Sequence, residues 1–106
     1  MVSFDDRKDA FEKKEAMSAE KKFKIEARRN KLLGEWAASL LSHDSDKTAD
    51  YIKEVIAADF EEAGDDDVHR KVLADLNDAG IMVTEQELRI KMNELLDEAT
   101  KAIAAE

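Results

Sequence analysis

Apolar residues in this chain return at intervals of three and four rather than two. From Ile25 they recur at Leu32, Leu33, Trp36 and Leu40, which is the spacing of one face of a helix. They predict a long first helix from about Ala19 to Ser42. The polar run "SHDSDKT" interrupts the pattern, and Ser45 or Asp46 can cap a second helix over 46–63. Tyr51, Ile52, Val55, Ile56 and Phe60 form its inner face, and Gly64 can end it in the left-handed region. A third helix is expected over 65–79. Three aspartates stand at its positive end, where Asp65 can accept from exposed backbone N–H groups. Val68, Val72, Leu73 and Leu76 face inward, and Gly80 follows.

The stretch "IMVTEQEL" then carries two start signals for a fourth helix over 84–104. Thr84 with Glu87 spells a capping box, and Val83 with Leu88 a hydrophobic staple. Leu88, Met92, Leu95, Leu96, Ala99 and Ile103 share its inner face. With no proline, only three glycines and no alternating strand pattern, the reading is all-α. Four amphipathic helices with short connections make a four-helix bundle over 19–106 with a long first helix.

Residues 1–18 do not fit that bundle. Phe4 and Phe11 stand two helical turns apart in a run that is otherwise almost entirely charged, too thin a stripe for a core. Ser3 and Asp6 form a capping signal that starts a helix at Phe4. A helix this short is marginal without packing, so a flexible arm is expected, frayed in the free protein. On binding it can lay Phe4 and Phe11 into a partner's groove as i and i+7 anchors.

Charge sharpens the division. The net charge is −9 over 106 residues. Residues 1–31 carry ten Lys or Arg against seven Asp or Glu, a net +3, and residues 32–106 carry seven against nineteen, a net −12. A basic first third, residues 1–31, on an acidic remainder argues against nucleic acid and fits a protein partner. The chain has no cysteine, hence no disulfide framework or thiolate metal site. No apolar run approaches the ~20 residues of a membrane span, and no signal peptide is visible, so a cytoplasmic chain that is not inserted in a membrane is expected.

Catalytic chemistry is not apparent. His43 and His69 are isolated, and neither stands near a serine in a nucleophile and base motif. The acidic residues Glu61, Glu62, Asp65, Asp66 and Asp67 lack the alternation of a calcium loop, so helix capping explains the aspartates better and no metal is expected. No glycine-rich phosphate loop is present. Trp36 lies on the apolar stripe and reads as a core aromatic. Lys21, Lys24, Arg28 and Lys31 make a basic stripe beside that face.

The blocks "SFDDRKDAFE", "EARRNKLLGEWAA" and "ADFEEAGDDDVHRKVLADL" together resemble the zeta subunit family, inhibitors of the F-type ATP synthase in alphaproteobacteria, and the resemblance runs along essentially the whole chain. It implies a four-helix fold whose N-terminal region inserts between catalytic subunits of the headpiece, close to the central stalk, and stops rotation in the hydrolysis direction. The chain would then be a regulatory subunit and not an enzyme, cytoplasmic and peripheral to the inner membrane through the synthase, with a monomeric free form. The family's inhibitory positions fall on Phe4, Asp5, Asp6, Arg7, Ala10, Phe11, Glu12 and Lys14. Ala27, Arg28, Arg29, Asn30, Leu32, Leu33, Gly34 and Trp36 match its central block. After Lys14 the family pattern has an aromatic and then an acidic pair, where this chain reads Glu15, Ala16, Met17, Ser18, Ala19. Glu35 stands where relatives often carry a leucine. An alternative reading is a nucleotide-sensing module that regulates the same complex, with weak ATP or ADP binding through Arg28, Arg29 and Lys31 and no other cofactor.

Overall fold

Four helices are present, in the expected order: α1 (Ser3–Leu40), α2 (Ser45–Asp59), α3 (Asp66–Asp78) and α4 (Glu85–Ala104), but α1 begins at Ser3 rather than near Ala19, so the backbone of the N-terminal segment continues the first bundle helix. The structure is a computed structural model that describes the backbone of residues 3–61 and 64–105 and the side chains of residues 19–61 and 64–105. No strand occurs among the described residues. In the bundle α1 lies against both α2 and α4, α3 packs on the same two helices, and α1 and α3 sit diagonally with little contact.

One core holds the four together. Leu33, Ala37 and Ala38 from α1 meet Tyr51 and Val55 from α2, Val68, Val72 and Leu76 from α3, and Leu88, Met92 and Leu95 from α4. Each fully buried Leu or Val contributes roughly 1.5–3 kcal/mol relative to exposure. Small residues on α1 permit the α1–α2 approach. A Cβ on Gly34 would lie 2.9 Å from Ile52 Cγ1 and 3.0 Å from its Cα, so the helices could not come this close with any larger residue there.

Helix ends follow local chemistry, with corrections. α4 begins with the expected capping box: Thr84 Oγ1 accepts from Glu87 N at 3.1 Å, and Glu87 Oε1 accepts from Thr84 N at 3.4 Å. The staple partners Val83 and Leu88 lie against and within the core. α3 ends in a Schellman motif with Gly80 at φ +83, where Gly80 N donates to Asn77 O and Ile81 N to Leu76 O. α1 ends in the same motif two residues before the expected stop, with His43 N donating to Ala38 O and Ser42 N to Ser39 O. The left-handed position there is Ser42 (φ +60) rather than a glycine.

The cap of α2 is Asp44, which accepts from Lys47 N at 2.8 Å, and not Ser45 or Asp46. α2 also stops earlier than 63, at Asp59 with Phe60 as C-cap, so Gly64 (φ +86) turns the connection to α3 rather than ending α2. Asp65 occupies the N-cap position of α3 without making a side-chain cap bond. Two residues assigned to inner faces are exposed: Leu40 at 40%, beside the end of α1, and Phe60 at 72%, beyond the last turn of α2. The rest of the inner faces are buried or half-buried.

Candidate functional site

The residues expected to bind a partner, Phe4, Asp5, Asp6, Arg7, Ala10, Phe11, Glu12 and Lys14, fall in the first part of α1, and their side chains lie outside the described residues. What can be built from the structure is the base from which that segment starts. The side chains of Ala19 to Lys24 are all exposed, Ile25 to Ala27 are half-buried, and Arg29 and Asn30 are 2% exposed. The helix therefore leaves the bundle on the N-terminal side of Ile25.

Arg29 and Asn30 fix α1 where it leaves. Burying a guanidinium is tolerated only when its donors are matched. Arg29 Nε donates to Asn30 Oδ1 at 2.9 Å, and its other nitrogens reach Asp65 Oδ2 at 3.4 Å and Asp59 Oδ1 at 3.8 Å. Asn30 Nδ2 donates to Asp59 Oδ2 at 2.9 Å. From α4, Arg89 donates to Asp65 Oδ1 at 2.8 Å and to Asp66 Oδ1 at 3.0 Å. One carboxylate, Asp65, thus links α1 to α4 across the connection between α2 and α3. Burial opposes its ionisation, but the hydrogen bond and charge of Arg89 and the charge of Arg29 outweigh that and hold the carboxyl below the usual range. No buried side-chain nitrogen or oxygen among the described residues lacks a hydrogen-bond partner.

The three candidate nucleotide contacts are not brought together. Arg28 and Lys31 are exposed with Lys21 and Lys24, while Arg29 turns inward to its carboxylates. A phosphate would have to displace Asp59 and Asp65 to engage it. The acidic residues are likewise committed: Asp65 and Asp66 pair with arginines, and buried Asp67 accepts from Val68 N at 2.9 Å. No group of His, Asp or Glu able to hold a metal occurs among the described residues. His69 Nε2 lies 2.9 Å from Glu85 O and joins α3 to the start of α4, and His43 stacks edge-on against Tyr51 with ring centroids 5.9 Å apart. Trp36 is half-buried against the core, with Lys91 Nζ 5.6 Å from its ring centre.

A second polar cluster ties α2 to α3. Tyr51 Oη donates to Asp75 Oδ2 at 2.8 Å, and Lys71 Nζ donates to the same oxygen at 3.0 Å and to Glu54 Oε1 at 3.2 Å. Burial, then the hydrogen bond and charge of Asp75, push the Tyr51 phenol well above its ordinary range. Burial works against the Lys71 ammonium, but its bonds to Asp75 and Glu54 prevail and raise its pKa.

Neither cluster was visible in the sequence as a site, although one signal was available. Arg29 lies four residues before Leu33 and eight before Ala37, on the line of α1 that is buried. Reading charge as surface concealed it.

Comparison with known proteins agrees with this architecture. A chain whose structure was solved by solution NMR is 46% identical, covers 78% of this chain and 94% of its own, and superposes with a TM-score of 0.68. No match is found among curated proteins. The family model described as ATPase inhibitor subunit zeta matches residues 1–102.

Proposed function

The chain belongs to the ATPase inhibitor subunit zeta family, and on that footing we propose that it is an inhibitory subunit of the bacterial F-type ATP synthase whose residues 1–18 enter the catalytic headpiece and block ATP hydrolysis. The observation that carries this reading is the extent of the family match, which begins at residue 1 and so includes the segment with Phe4 and Phe11. Phe4 and Phe11 supply two apolar anchors, and Asp5, Asp6, Arg7, Glu12 and Lys14 supply register and steering. Contacts with the catalytic subunits and the central stalk would then stop rotation in the hydrolysis direction.

The base of α1 supports this division of labour. A segment that acts as a wedge needs a stiff mount, and Arg29 and Asn30 tie α1 to the end of α2 and to the α2–α3 connection just where the helix leaves the bundle. The chain itself performs no chemistry in this reading. It works in the cytoplasm, held at the inner membrane by the synthase; no helix among the described residues is long and apolar enough to cross a membrane.

The test is ATP hydrolysis by the cognate synthase with added intact protein and with a variant lacking Val2 to Ser18. The intact protein should inhibit and the truncated one should not, while retaining the helical circular dichroism of the bundle. Equal inhibition by the two forms would rule out the arm.

A further inference from the structure

Asp59 and Asp65 stand where the chemistry of their own helices gives them little. Asp59 is the last residue of α2, at the end of the helix dipole that disfavours an anion. Asp65 occupies the N-cap position of α3 yet makes no cap bond. Both carboxylates are turned instead to Arg29 and Asn30 of α1. Asp65 has a further partner: Arg89 of α4 donates to its Oδ1 at 2.8 Å, a closer contact than the 3.4 Å from Arg29 to Oδ2. The orientation of Asp65, one of the two carboxylates that hold Arg29, is therefore set from α4. Arg89 also donates to Asp66 Oδ1 at 3.0 Å, but Asp66 has no bond to α1 among the described residues.

The place of this tie gives it leverage. Among the described side chains of α1 before Leu33, only Arg29 and Asn30 are buried. The first fixed point of the helix, counted from its N-terminus, is thus polar, and the first core residue, Leu33, lies about 6 Å further along the axis. A tilt of about 10° at Arg29 would carry Ser18, 11 residues back on the same helix and about 16 Å away, by about 3 Å.

We infer that Arg89 and Asp65 are positioning residues for inhibition: through Arg29 they brace α1, so that residues 1–18, once bound, resist the rotation they oppose. This role rests on the function proposed above. Affinity and obstruction then fall to different residues. Phe4 and Phe11 supply the anchors, whereas the brace supplies the stiffness that a stop to rotation has to have. Loss of Arg89 leaves binding in place and makes the block incomplete. It strands no buried charge, since the side chains of Asp65 and Asp66 are 34% and 80% exposed and Arg29 keeps both of its carboxylates.

The experiment compares intact protein, Arg89→Ala and Asp66→Asn in ATP hydrolysis by the cognate synthase, titrated to saturation, and in amide hydrogen exchange of the free proteins. Arg89→Ala should reach a lower plateau of inhibition, with a half-inhibitory concentration within about twofold of the intact protein's. Its amides from Ile25 to Asn30 should exchange about tenfold faster, as for the loss of a charge-assisted bond, while those from Leu33 to Ala38 keep their rates. A merely structural role would speed both stretches together. Asp66→Asn should match the intact protein in both measurements, because the bond it removes does not lead to α1. A full plateau for Arg89→Ala overturns the role and leaves inhibition by the arm standing, and so does exchange that rises evenly along α1. Failure of the intact protein to inhibit removes the proposed function and this role with it.

Discussion

Arg29 has Asn30, Asp59 and Asp65 all within reach of one buried guanidinium. Lysine would keep the charge but lose the fork and the Nε donor. Arg29→Lys should therefore lower stability by about 2–3 kcal/mol in denaturant unfolding, as expected when a buried pair is partly broken. Titration follows from the same contacts. The Asp65 carboxyl is held below its usual range, so its charged form favours the fold. That contribution is present above the unfolded carboxylate pKa, about 4, and is lost as pH falls through the folded value. On the alkaline side Tyr51 and Lys71 are both raised, so their contributions are present below about pH 10 and fade above it. Melting temperature against pH should thus fall at both ends, and Tyr51→Phe should flatten the alkaline limb while costing about 1 kcal/mol at neutral pH for the lost hydrogen bond.

At the scale of elements, the sequence was most legible where the determining interactions are local. The Thr84 box and the Gly80 turn each depend on residues a few positions apart, and both stand as read. The start of α2 was missed by one residue because Asp44, Ser45 and Asp46 are all competent caps, and only the geometry selects Asp44. Asp65 was misread for a different reason: arginines 36 and 24 residues away in sequence take the carboxylate that local rules give to the helix end. Ser42 ends α1 in a conformation that its side chain does not advertise. Gly34 carried no turn signal either, since its role is the close pass of α2 over α1. Gly34→Ala gains helix propensity but places a methyl against Ile52, backbone included. It should lower stability by about 1–3 kcal/mol, the usual range for overpacking, visible as a lower denaturant midpoint with an unchanged slope.

For the whole molecule, the bundle was legible because one apolar stripe per helix is enough to specify it, and α1 to α4 appear in the expected order. The exposure of Phe60 was not legible, since it sits at helical spacing from Ile56 and only the early end of α2 puts it outside. In the proposed function the molecule divides into a bundle held by one core and two polar clusters and an N-terminal segment that engages a partner. The most direct test of that division is hydrolysis by the cognate ATP synthase titrated with the Phe4→Ala/Phe11→Ala variant alongside the intact protein. The half-inhibitory concentration should rise by about tenfold or more, as for the loss of two anchor residues, with the melting temperature of the bundle unchanged. A titration curve that superposes on that of the intact protein would contradict inhibition through these two side chains.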